Sequence, residues 1–306
     1  MERTKQENPE AAWMINRLFP SMGDLLAMLG IFFAAQIAVG LFGALILLFT
    51  GQGVIDLDPI EKGCFVALTS LVSLLAALFL IWRYRRWRKA EKVAISISPK
   101  GLNPLLLVWV YLLMLSTTIV LEPLYEWLPT PDQDPGRGWW AFLALVVIAP
   151  VFEEWICRGV VFGALKKRYG VVVSMLLSAL FFGLLHVQPV PVVNAFVLGL
   201  ILAYIYHKTN TLLAPILLHA LHNGVAYLLI TAGYGEASFI ELLGGRQGLY
   251  TLLYIGAVTL SLVSLYAIWC SVQQPKPLPG VETEPLQGDS TPAEGDEIKK
   301  IDPEKQ

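Results

Sequence analysis

The sequence predicts an all-α polytopic membrane protein with about eight transmembrane helices, and three observations carry that expectation. Hydrophobic residues make up 56% of the 306-residue chain and charged ones only 15%. With a mean hydropathy of +0.60, this lies outside the range of ordinary soluble domains. Eight apolar runs approach the roughly 20 residues that one helical crossing needs. The charges between those runs alternate in sign, as positive-inside sorting of loops produces. A formal net charge of -2 argues against a nucleic-acid partner. Cys64, Cys157 and Cys270 lie in or beside apolar runs without metal-ligand spacing, and read as small buried hydrophobes.

In chain order, residues 1–24 form a polar N-terminal segment, and 25–138 hold the first three spans at about 25–48, 65–82 and 105–121. The first run is too long for a signal-peptide core and is expected to stay in the mature chain. A core region, 139–232, holds runs at about 139–162, 171–187, 192–206 and 212–230. The fifth and sixth runs are short and are joined only by Gln188-Pro189-Val190-Pro191, which leaves a re-entrant pair as an alternative to two full crossings. A loop and the last span, at about 249–269, occupy 233–272. The tail, 273–306, is Pro-rich and acidic with almost no large apolar residues, so it cannot offset the entropy of ordering and is expected to be disordered.

Loop charges set the orientation. Arg83, Arg85, Arg86, Arg88, Lys89 and Lys92 follow the second span, Lys166, Lys167 and Arg168 the fourth, and Lys208 the sixth. Asp56, Asp58, Glu61, Glu122, Glu126, Asp132 and Asp134 follow the first and third. In an eight-span chain every basic loop falls on one side, which places both termini in the cytoplasm.

The chain is organised around Glu153-Glu154-Trp155-Ile156-Cys157-Arg158, which lies inside a span. Ionisable groups at membrane depth are costly and usually functional. Glu154 and Arg158 are four apart, one turn on one helix face, and can neutralise each other. Glu153 points about 100° away and is left for chemistry. The bland alternative is a buried salt bridge that fixes helix packing. Pro150, just before the pair, removes a helical hydrogen bond and opens or kinks the backbone.

Candidate partners are His186, near the end of the fifth run, and His219 with Asn223, four apart on one face of the seventh. By helical rise, Glu153, Asn223 and His219 lie about 15, 16 and 10 Å from one membrane face, and His186 about 22 Å. All four can then surround an intramembrane catalytic cavity. A carboxylate base, an imidazole beside it, and an imidazole with a carboxamide on another helix are what water attack on an amide requires. Cys157 is a conceivable nucleophile, but its apolar setting disfavours a thiolate.

The motifs Glu153-Glu154-x-x-x-Arg158, Phe182-x-x-x-His186 and His219-x-x-x-Asn223 resemble, in spacing and order, those of the CPBP family. This family comprises CAAX proteases and bacteriocin-processing enzymes, is also called Abi, and has the Ras-converting CAAX endopeptidase as its eukaryotic member. The resemblance covers about 141–227. It implies an intramembrane endopeptidase in which Glu153 is the base, His186 binds the water, and His219 with Asn223 forms the oxyanion site, while Glu154 is left to Arg158. No cofactor is then required. The alternative is a zinc enzyme with Glu153, His186 and His219 as ligands, although no His-Glu-x-x-His signature occurs. A proton-coupled transporter is the reading from another class. The implied partners are the lipid bilayer and a peptide or membrane-protein tail, with lipid-modified segments among the candidates. The implied setting is a prokaryotic plasma membrane.

Overall fold

The computed structural model describes residues 19–100, 102–129, 135–235 and 237–273. The expectations for residues 1–18, for Asp132 and Asp134, and for the tail beyond 273 lie outside the described residues. Among the described residues all regular secondary structure is helical, without strands. Seven helices are long and apolar enough to cross a membrane. They are α1 (Met22–Phe49), α2 (Pro59–Trp87), α3 (Pro104–Tyr125), α4 (Gly138–Leu184), α5 (Pro189–Thr209), α6 (Leu213–Thr231) and, after the short α7 (Phe239–Leu242), α8 (Gln247–Gln273). Side chains start several of these helices. Ser21 and Asp24 form a capping box on α1, Asp58 caps α2 with Pro59 at its first turn, and Asn103 caps α3 ahead of Pro104. Large apolar residues such as Leu41, Phe42 and Leu262 stay exposed on the outer helix faces, as lipid contact requires.

The difference between eight expected spans and seven long helices lies in α4. This helical run has 47 residues, about 70 Å at a rise of about 1.5 Å per residue, more than twice a hydrocarbon core of about 30 Å. It does not run straight. Gly170 takes φ 75° and ψ -180°, a backbone that residues with a Cβ avoid. Beyond it the chain returns, and Ser178 Oγ donates to the Cys157 carbonyl at 2.9 Å. Thus α4 is a hairpin of two antiparallel limbs, which restores eight segments. The second limb, 171–184, reaches only about 21 Å, so the turn carrying His186 ends short of a full crossing.

The helix ends agree with that parity. At one end Lys167, by the hairpin tip, pairs with Glu91 after α2 at 2.7 Å. At the same end Thr211 Oγ1 donates to the Ser98 carbonyl at 2.8 Å. At the other end Arg137 N–H donates to the Pro59 carbonyl at 2.6 Å, and Tyr227 Oη donates to that of Gly138 at 2.7 Å. The basic loops therefore share one end. The Lys167 ammonium holds the exposed Glu91 carboxyl below its usual range. Nearby, buried Asp24 clamps α1 to the end of α2, accepting from Tyr84 Oη at 2.6 Å and from Arg88 Nε at 2.7 Å.

Small residues let the second limb of α4 and α5 pack closely. A Cβ on Gly199 would lie 3.0 Å from Ala179 Cα, and one on Gly183 would lie 2.9 Å from the Val192 carbonyl oxygen. Because the obstacle at Gly183 is backbone, Gly183→Ala is expected to cost about 1–3 kcal/mol. Unfolding in detergent checks this, and an unchanged midpoint would show that the hairpin yields freely.

Candidate active site

The backbone around the glutamate pair is set by Pro150. Its ring clashes with the carbonyl four residues back in a regular α-helix. Here the turns before it widen into a π-helix over Leu143–Ile148, and Ala149 N–H bonds to the Ala144 carbonyl, five residues back. In that register the Leu145 carbonyl falls to Pro150, which has no N–H to give. Asn223 Nδ2 on α6 supplies the missing donor at 2.9 Å. A second π-helix, Trp155–Phe162, follows the pair. Its Cys157 carbonyl accepts from Ser178, and its Val160 carbonyl accepts from Arg85 Nη1 at 3.5 Å. Glu153 and Glu154 thus sit on a short α-helical stretch, Ala149–Glu154, between two π-helical ones, a form frequent at functional sites.

Arg158 and Glu154 are both fully buried and pair at 2.7 Å, as their spacing predicts. The guanidinium also donates to the Gly199 carbonyl at 3.0 Å and stands 4.5 Å from the centre of the Phe182 ring. Glu154 does more than the sequence assigns to it. The oxygen that takes Arg158, Oε1, lies 3.0 Å from His219 Nδ1. An arginine-paired carboxylate only accepts, so Nδ1 carries the hydrogen. That fixes the tautomer and turns Nε2 towards Glu153 Oε2, 3.9 Å away. The sequence pairs Glu154 with Arg158 alone, because the approach of α6 to the first limb of α4 is a tertiary fact that spacing within one helix does not contain.

Glu153 keeps a side-chain exposure of 15% and His219 5%. Glu153 makes no hydrogen bond among the described residues, so its carboxylate is uncommitted. His186 directs Nδ1 at the Phe182 carbonyl at 3.1 Å, which leaves its Nε2 as the open position. Phe182 links the elements, since the rings of His186 and His219 meet it nearly edge-on at 5.2 and 5.3 Å. Glu153, Glu154, Arg158 and His219 are therefore brought together directly, and His186 joins them through Phe182. Asn223 is placed beneath the first π-helix, with one amide hydrogen committed to Leu145. Among the described residues no group of three or more His, Cys, Asp or Glu side chains is gathered as a metal ion needs. Glu153, His186 and His219 do not assemble as a ligand set here.

Residues 135–225 match the family model for type II CAAX prenyl endopeptidase Rce1-like proteins. A 77-residue stretch is 29% identical to the putative membrane peptidase YdiL of Bacillus subtilis (strain 168), covering 25% of this chain and 32% of that protein. The chain thus spans about a third of the length of that relative. The matched region holds all three motifs and every side chain of the site, and over that region the chain is similar to CAAX-protease-like membrane proteins.

Proposed function

We propose that this protein is an intramembrane endopeptidase of the CAAX-protease type, in which Glu153 activates a water to hydrolyse a peptide bond. The observation that carries the reading is the uncommitted Glu153 carboxylate 3.9 Å from His219 Nε2, with His219 held from behind by Glu154 and Arg158. Glu153 takes one proton from water as the water oxygen bonds to the scissile carbonyl carbon, and the carbonyl oxygen becomes an oxyanion. The carbon–nitrogen bond then breaks, and the proton on Glu153 passes to the leaving nitrogen. One water is consumed, and a carboxylic acid and an amine are released.

The other residues serve that step. His186 Nε2 accepts a hydrogen from the water and aims it. With Nδ1 given to Glu154, His219 donates to the oxyanion through Nε2 when the ring carries both protons, and the charge of Glu154 offsets the imidazolium. Asn223 has a second amide hydrogen for the same oxyanion. The substrate class is a peptide or membrane-protein tail at the bilayer, with lipid-modified segments included. The end that gathers the basic residues faces the cytoplasm, and with it both termini, in a prokaryotic plasma membrane.

Peptide termini from membranes with and without the protein test the proposal. New termini close to membrane segments are expected only where it is present, and their absence on every substrate sampled would sink it. No step is routed through a metal, so exhaustive chelation is expected to change cleavage by less than about two-fold. Chelation that abolishes cleavage, with zinc alone restoring it, would replace the metal-free step with a zinc-assisted one.

A further inference from the structure

The helix ends that collect the basic residues enclose a cavity of about 290 Å³, lined among others by Phe19, Lys89, Glu91, Val93, Lys167 and Arg168. Three of these side chains are cationic and one is anionic, and the anion, Glu91, is already paired with Lys167. Arg168 Nη1 donates to the Pro20 carbonyl at 3.2 Å. Arg85 Nη2 holds the Glu91 carbonyl at 2.8 Å, and Val93 packs over Gly163, where a Cβ would meet it at 2.5 Å. The lining is therefore built from the start of α1, the exit of α2 and the first limb of α4.

Lys89 is the unusual member. It occupies the left-handed position that closes α2, with φ 54°. Its N–H bonds to the Arg86 carbonyl, and that of Ala90 to the Arg85 carbonyl. Glycine is the usual residue at this point of such a cap. A lysine there keeps backbone strain and in return brings a charge to the cavity, a pattern typical of functional positions. Trp82 and Trp87, both exposed on the same end of α2, have the character of rings at the headgroup level.

We propose that this cavity binds the phosphate of an anionic phospholipid headgroup, with Lys89, Lys167 and Arg168 as its cations. Basic pockets between membrane helices suit such headgroups. The position beside apolar helix faces favours a lipid over free phosphate as the source. The site is separate from the glutamate centre and does not depend on the peptidase reading.

The test uses the purified full-length protein in detergent, titrated with dioctanoyl phosphatidylglycerol, dioctanoyl phosphatidylcholine or inorganic phosphate. Native mass spectrometry counts bound lipid, and thermal shift reports affinity. Phosphatidylglycerol is expected to bind saturably at one per chain and to raise the unfolding temperature, while phosphatidylcholine does neither. Lys89→Gly, which also relieves the strained cap, is expected to weaken binding about five-fold without lowering the lipid-free unfolding temperature. Glu91→Gln removes the only carboxylate among the described lining residues and is expected to tighten binding by a similar factor, an outcome that misfolding cannot imitate. Equal binding of the two lipids, or no change in either variant, overturns the proposal. Inorganic phosphate binding as tightly as phosphatidylglycerol overturns the assignment to a lipid.

Discussion

Glu153→Gln is expected to lower peptide cleavage by about 10²–10⁴-fold, the range general-base catalysis contributes, while the protein stays folded. The change keeps the shape of the side chain and removes its basicity. It orphans no partner, because Glu153 makes no hydrogen bond among the described residues and its neighbour His219 is anchored at Nδ1 by Glu154. Stability is therefore expected to change by less than about 1 kcal/mol. Cleavage under single-turnover conditions, on a substrate found by comparing membranes with and without the protein, reads the first quantity, and thermal unfolding reads the second. A folded variant that cleaves within about ten-fold of the parent would place the base elsewhere.

Arg158→Met has the opposite signature, a loss of folded protein. It leaves the Glu154 carboxylate buried without its cation, and it withdraws the donor to Gly199 and the cation over Phe182. Breaking a buried pair on one side costs about 3–5 kcal/mol. The double variant Arg158→Met with Glu154→Gln is expected to recover about 1–3 kcal/mol of that, since no charge is then stranded. Recovery is expected in stability and not in activity, because glutamine in place of Glu154 no longer supplies the charge that offsets the His219 imidazolium. Unfolding measurements on both variants decide this, and a single variant costing less than about 1 kcal/mol would show the pair to be dispensable.

Much of this was legible in the sequence because membranes impose simple rules. The apolar runs located the helix ends to within about six residues, and the four-residue spacing of Glu154 and Arg158 gave their pair outright. The hairpin in α4 was signalled by Lys166, Lys167 and Arg168 interrupting an apolar run, and Gly170 supplies the reversal. What stayed hidden depends on how one helix meets another. The bond from His219 to Glu154 and the contact of Arg158 with the Gly199 carbonyl each cross between elements. Asn223 shows the same limit. Its spacing from His219 suggested a shared face, yet its bond is to Leu145, and only the π-helical register before Pro150 explains why that carbonyl needs a donor. The apolar run at about 192–206 likewise stops short of the helix end, since α5 continues to Thr209 before Asn210 closes it.

The two π-helical stretches also fix a phase. Each takes up extra chain relative to an α-helix, so whatever lies beyond it is rotated relative to a regular helix, where one residue corresponds to about 100°. Deleting a single residue from the α-helical stretch Ala149–Glu154 would swing the hairpin tip and the second limb about 100° out of line with Glu153, whereas a deletion within Trp155–Phe162 lets the backbone return to α geometry and keeps them in phase. The chain holds its weaker-bonded turns as a spacer that times one face against another. Length is then constrained most between the two π-helical stretches, over Ala149–Glu154. Among engineered variants of this segment, single-residue deletions within a π-helical stretch should be tolerated more often than deletions within Ala149–Glu154.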